Sequence, residues 1–177
     1  MLLVTCAAAL MLLQQAPAEG TDWDAEFGIA AKERDPLTGE FPVAPYEQSN
    51  ANAGAAPYAS GALVAAFGGR EGIVRIAART VELSEADPRI AAIFASHDMV
   101  RLKRTLGEQL CYLIGAGCDY TGRDMRSAHA DMGLTKADLN ALVENLQAAM
   151  REAGVPFAAQ NRLLAKLAPM AREVVTR

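Results

Sequence analysis

The chain has 177 residues, 51% of them apolar, enough to fill the core of one globular domain with an appendage to spare. Its formal net charge of -4 and pI near 5.2 exclude nucleic acid and anionic membrane surfaces as natural partners, because both demand a basic face. Neither of the two histidines has a His/Cys/carboxylate cluster around it in the sequence, so the side chains offer no zinc site, and a metal here must bring its other ligands with it.

The chain opens with "LLVTCAAALMLL", residues 2–13, an apolar run of signal-peptide length and too short to cross a hydrocarbon layer of roughly 30 Å. The Ala-Pro-Ala pattern of "QAPA" fits cleavage after Ala18, so residues 1–18 are expected to act as an export signal. The protein is then expected in the periplasm, with no stable membrane span, although no Lys or Arg precedes the run. Cys6 stands at the head of that run, where it reads as discarded with the signal rather than as a lipid-attachment cysteine. Residues 19–62, including "FPVAPYEQSNANAGAAPY", sustain no apolar period of 2 or 3.6 and read as a flexible linker or loosely docked arm. Its aromatics Trp23, Phe27, Phe41 and Tyr46 are the candidates for contact with a domain surface.

From there to residue 177 the texture is helical. "REGIVRIAARTVELSEA" sets Ile73, Ile76, Ala77, Thr80 and Val81 on one face, and "DPR" at 87–89 breaks the helix. Ile90, Ile93 and Phe94 form a second short apolar set. "DMVRLKRTLGEQLCYLI" carries Met99, Leu102, Leu106, Leu110 and Leu113 on a stripe behind an Asp98 N-cap, with Arg101, Lys103 and Arg104 off the stripe or at its edges. Thr135 and Asp138 cap a helix bearing Leu139, Leu142, Val143, Leu146 and Met150, which Gly154 ends before Pro156 opens the last one. Leu163, Leu164, Leu167 and Met170 are its buried side, kinked at Pro169. No strand-period segment competes, so the fold class is all-α.

Between the second and third of these long helices, residues 115–134 contain few core formers, and unstructured loops of that length are uncommon in compact domains. A helical turn over "RDMRSAH" points Met125, Ala128 and His129 inward, where an apolar ligand with a central metal would restore the missing packing. Taken alone, a histidine on an apolar face is more often a satisfied core residue.

The segments "FGG" at 67–69, "ADPRIAAIF" at 86–94, "DMVRLK" at 98–103, "YTGRDM" at 120–125, "AH" at 128–129, "MGLT" at 132–135 and "AGVP" at 153–156 occur in one order. Together they resemble the group I truncated haemoglobins, the two-on-two helical globins. The resemblance runs over about residues 63–175 and makes 63–177 a truncated globin domain around haem b (iron protoporphyrin IX). It implies His129 as the proximal iron ligand; a neutral imidazole is a good donor to iron, and the porphyrin supplies four more nitrogens. It further implies Phe94, Leu102, Leu106, Leu110, Tyr120, Met125, Leu134, Leu139, Leu142 and Leu167 as haem contacts, though each also suits ordinary helix core.

On the distal side the chain departs from the family pattern. Thr80 and Val81 stand where many members carry a tyrosine, and Leu106 stands where they carry a glutamine. Without a donor, discrimination in favour of dioxygen is expected to be weak unless Thr80, Thr105, Gln109 or His97 turns inward; His97, before the distal helix, reads as a solvated loop residue rather than a second iron ligand. Cys111 and Cys118 are too far apart for a disulfide in a continuous helix, but Gly115 and Gly117 permit a turn between them. A bridge and two unpaired thiols both fit, and the resemblance, with exported members of paired-cysteine spacing, tilts toward the bridge. Function is then expected to be reversible binding of O2, CO or NO as carrier, scavenger or sensor. The alternative is a haem enzyme, an NO dioxygenase or peroxidase served by an external reductase; a haem-free helical interaction module is a third reading.

Overall fold

The computed structural model describes residues 33–177; the signal-like run, Cys6, Trp23 and Phe27 lie outside the described residues. Among the described residues the regular structure is helical throughout, α and 3-10, as the periodicity predicts. Helix α1, Gly61–Ala66, starts at Ser60, whose hydroxyl accepts from the Leu63 N–H. Helix α2, Gly69–Ala86, buries Ile73, Ile76, Ala77, Thr80, Val81 and Ser84. Its two hydroxyl groups can lie inside because each donates back along the helix, Thr80 to the Ile76 carbonyl and Ser84 to the Thr80 carbonyl, both at 2.8 Å.

Asp87 ends α2 ahead of Pro88, and α3, Ala91–Phe94, is a single turn. Helix α4, Met99–Ile114, is capped by Asp98, whose carboxylate accepts from the N–H groups of Val100 and Arg101. The short α5, Met125–Ala128, is the turn expected over "RDMRSAH". Thr135 and Asp138 form a reciprocal capping box at the head of α6, Lys136–Glu152. Helix α7, Phe157–Leu167, gives way at Pro169 to a 3-10 turn, Ala168–Met170, and then to α8, Ala171–Val174.

Helix α2 lies between α4 and α6 and packs on both, while α4 also meets α7 and α5 meets α8. Ile73, Ile76, Leu110, Leu113, Ile114, Met150 and Leu163 are fully buried or nearly so where these helices meet. Each such side chain contributes about 1.5–3 kcal/mol by leaving water. Polar contacts fix the corner between α2 and α3 onto α6: Asn145 donates to Ser84 and Asp87, and Arg89 bridges Asp87 to Glu144 at 2.7 Å on each side. The guanidinium beside it holds the Asp87 carboxyl well below the usual carboxylate range.

Residues 33–62 are the described part of the segment read as a linker or loosely docked arm over 19–62. Residues 33–58 lie along the helices through a series of specific contacts. The Phe41 N–H donates to Asp98 at 2.7 Å, the Tyr46 hydroxyl to the Thr121 carbonyl at 2.7 Å, and the Tyr58 N–H to the Leu113 carbonyl at 3.0 Å. A 3-10 turn, Asn50–Ala53, sits on α4, and Ala53 is completely buried. Periodicity missed this because an extended Pro-rich segment bonds to carbonyls and side chains of its host, with no repeat of its own.

Gly115 ends α4 in the left-handed region, at φ 83°, and a Cβ there would overlap the Tyr58 carbonyl oxygen, so this close passage of the arm requires glycine. The turn brings Cys111 and Cys118 within disulfide distance, with Cα atoms 5.7 Å apart. Closing so short a loop stabilises by about 2.5 kcal/mol in the loop-entropy treatment. Thiol counting on unfolded protein taken from its own compartment should therefore find Cys111 and Cys118 unreactive until reductant is added. Two thiols titrating there without reductant would defeat the bridge.

Candidate functional site

His129 follows α5 directly and is set by its last turn. Asp124 caps that turn through the Ser127 N–H, and the His129 backbone N–H closes it on the Met125 carbonyl. The imidazole Nδ1 lies 2.7 Å from the same carbonyl oxygen. A carbonyl can only accept, so Nδ1 carries the proton and Nε2 of the neutral ring keeps its lone pair free. This is the arrangement in which a histidine serves as a metal ligand, its other nitrogen oriented by a backbone carbonyl.

His129 lines a cavity of about 490 Å³ enclosed by α2 to α8 and the arm. That volume is in the range of sites for small molecules and cofactors. Of the residues the resemblance assigns to haem, Phe94, Leu102, Leu106, Tyr120, Met125, Leu134, Leu139, Leu142 and Leu167 all line this cavity, as do Thr80 and Val81 of the distal set. Leu110 does not. It is fully buried in the core beside Leu113 and Ile114, one turn beyond Leu106, where α4 has left the cavity. Ile90, Ile93, Met132, Val143, Leu146, Leu164, Met170 and Val174 complete the apolar wall, and most of them already stood on the predicted helical stripes. Val43 and Tyr46 of the arm also line it; Tyr46 was a candidate for contact with a domain surface, whereas Val43 was missed, and neither was assigned to the site.

The wall's polar groups are largely committed. The Thr80 hydroxyl donates to Ile76, and the Thr105 hydroxyl to the Arg101 carbonyl at 3.0 Å. The Gln109 amide donates to the Ala53 carbonyl at 3.1 Å and also lies against the sulfurs of Met125 and Met170. Each of these donors is turned to protein rather than to the cavity. Burial pushes the Tyr120 phenol up to about 12, so it remains a donor, and it donates to the Arg123 carbonyl at 2.8 Å. His97 lies on the cavity rim and is exposed, with its Nδ1 3.4 Å from the Ser96 hydroxyl. Arg101 also lines the cavity, and its Nε is buried without a partner among the described residues.

A haem fits these residues. An apolar cavity supplies the walls, an oriented imidazole supplies a free Nε2, and the Arg101 and Arg123 side chains on the lining bring positive charge for an anionic group. His129 would be the residue that holds its iron, with Phe94, Leu102, Leu139 and Leu142 among the packing partners.

Known proteins agree with this geometry. The sequence model of the bacterial-like globin family matches residues 62–176. The chain is 31% identical over 91 residues to a group 1 truncated hemoglobin of Mycolicibacterium paratuberculosis, covering 51% of this chain and 67% of that protein. It is 32% identical over 95 residues to one of Chlamydomonas moewusii, covering 52% of this chain and 56% of that protein. Among solved structures it resembles the Fe(III) form of the truncated hemoglobin of Tetrahymena pyriformis, with a TM-score of 0.62 at 24% identity over 65% of this chain and 98% of that one. A 2/2 hemoglobin of Synechococcus sp., in the cyanomet state with covalently attached heme, gives a TM-score of 0.60 at 25% identity over the same shares. Because the family match covers nearly all of α1 to α8 and the cavity they enclose, this chain belongs to the bacterial-like globin family and carries the truncated globin fold.

Proposed function

We propose that this globin holds haem b through Nε2 of His129 and reversibly binds a diatomic gas, as a carrier, scavenger or sensor. The observation that carries this reading is the His129 ring, fixed by the Met125 carbonyl through Nδ1 on the wall of a large apolar cavity. Bound there, haem supplies an iron with one coordination position left open to a small ligand. The protein's own part is then threefold. His129 fixes the cofactor's position, the leucines of α4 and α6 exclude water from it, and the distal wall presents Val81, Leu102 and Leu106 to the incoming gas.

Gas binding is favoured over enzymatic turnover because Thr80, Thr105 and Gln109, the distal-wall groups able to steer a polarised dioxygen, already donate to the protein. An NO dioxygenase or peroxidase would also draw on an external reductase as partner. The same reading has the chain exported by its signal-like segment, in keeping with the disulfide distance between Cys111 and Cys118.

The test is the visible spectrum of the purified chain after haem addition, in its ferric, ferrous and carbon monoxide forms. A stoichiometric Soret band that shifts on reduction and again on carbon monoxide is expected. A protein that takes up no haem would leave the helical interaction module standing instead.

A further inference from the structure

Both arginines of the cavity lining, Arg101 and Arg123, engage the arm, the first from the start of α4 and the second from the loop before α5. Arg101 gives one N–H to the Phe41 carbonyl at 2.8 Å and stands 3.0 Å from the Glu40 carboxylate, both through Nη2, and its side chain stays partly exposed. Arg123 donates to the Ala44 carbonyl at 2.9 Å, and its guanidinium lies 4.6 Å above the Tyr46 ring. Each arginine has five N–H donors, so both have donors to spare.

The acids on the same lining are already matched. Asp98 accepts from Phe41, Arg34, Val100 and Arg101, and Asp138 accepts from Thr135. The unspent N–H donors of Arg101 and Arg123 are therefore open to a further carboxylate. The arm places Arg101: Glu40, nearly buried, binds Arg104 through both carboxylate oxygens as well as Arg101, and the Arg104 hydrogen bond holds its carboxyl below the ordinary range. Arg104 in turn reaches Glu108 and Thr121, which receives the Tyr46 hydroxyl on its carbonyl. The family match begins only at residue 62, so this strap is an addition to the shared fold.

We propose that residues 40–46 are part of the cofactor site: a strap that holds Arg101 and Arg123 against the carboxylate-bearing edge of the porphyrin and slows the cofactor's escape. The proposal rests on the haem reading above. Glu40 is a positioning residue here, acting through Arg101, and Arg101 and Arg123 are the groups that touch the ligand.

The experiment measures transfer of haem from the full chain to an excess of a tighter-binding apoglobin, for the parent and for Glu40→Gln, Tyr46→Ala and Arg101→Met. The parent's Soret band is recorded first; its absence would refute haem binding itself, and with it the strap. With haem, each variant should release the cofactor roughly tenfold faster. With iron protoporphyrin dimethyl ester, which lacks free carboxylates, Arg101→Met should release at the parent's rate to within about twofold. Haem release within about twofold of the parent in all three variants would overturn the strap. Equal acceleration of haem and ester by Arg101→Met would overturn the carboxylate pairing. If Glu40→Gln does not fold, amide exchange on the parent decides: protection over residues 41–46 should rise when haem is added, and unchanged protection refutes the strap.

Discussion

His129→Ala is expected to abolish stoichiometric haem retention, or to replace the parent's spectrum with that of weakly held haem. The reason is geometric as well as chemical. Among the described residues His97 is the other histidine, and it lies exposed on the rim after α3, while His129 sits at the end of α5 with Nδ1 bound to Met125. No second imidazole is placed to substitute for it. The affinity loss should reach at least about a hundredfold, since even second-sphere partners of a ligating histidine are worth roughly ten to a hundredfold. Equilibrium titration with haem, followed at the Soret band, checks this. His129→Ala with unchanged haem content and unchanged ferrous spectrum would remove His129 from the iron. The fold should survive the change, because α5 is closed by Asp124 and the Met125 carbonyl, and none of those backbone contacts requires the ring.

The second large effect concerns the distal wall. Oxygen release from the ferrous parent should be fast, because the hydroxyls of Thr80 and Thr105 and the amide of Gln109 donate to protein carbonyls. Leu106→Gln should slow that release by about one to two decades, corresponding to roughly 1.5–3 kcal/mol from a hydrogen bond to a partly charged acceptor. Glutamine is close to leucine in size, and Leu106 is only partly buried, so little repacking is required. Val81→Tyr tests the same point from α2, at greater steric risk because Val81 is almost completely buried. Carbon monoxide release should change much less, since that ligand carries little charge for a donor to stabilise. Stopped-flow measurements on parent and variants decide it. Slow oxygen release in the parent would mean that one of the engaged donors, or His97, turns inward when the cofactor is present, and the enzymatic alternative would regain its polar distal group.

Much of this site was legible in the sequence, for reasons that individual residues make plain. Leu102, Leu106, Leu139 and Leu142 line the cavity because helical spacing alone places them on inward faces. The turn that positions His129 was legible too, since the surrounding segment is too poor in core formers to be a loose loop. Leu110 marks the limit of such reasoning. It continues the stripe of Leu102 and Leu106 faultlessly, yet the cavity ends before it, and where a ligand pocket stops along a buried helix face is set by the neighbouring helices.

The sequence by itself determined the helices, the main caps and breaks and the apolar faces, because these depend on local spacing, while His129 stood out as candidate iron ligand only through the resemblance carried by its motifs. Only the tertiary structure decided three things. It showed that the donors of Thr80, Thr105 and Gln109 are spent on protein carbonyls; their partners Ile76 and Arg101 are local, but Ala53 is 56 residues away in the arm. It brought Cys111 and Cys118 together across a turn that Gly115 makes around the Tyr58 carbonyl. And it laid residues 33–58 along the domain, with Val43 and Tyr46 in the cavity wall. An extended segment docks through backbone groups and scattered side chains, and those contacts exist only once their distant partners are in place.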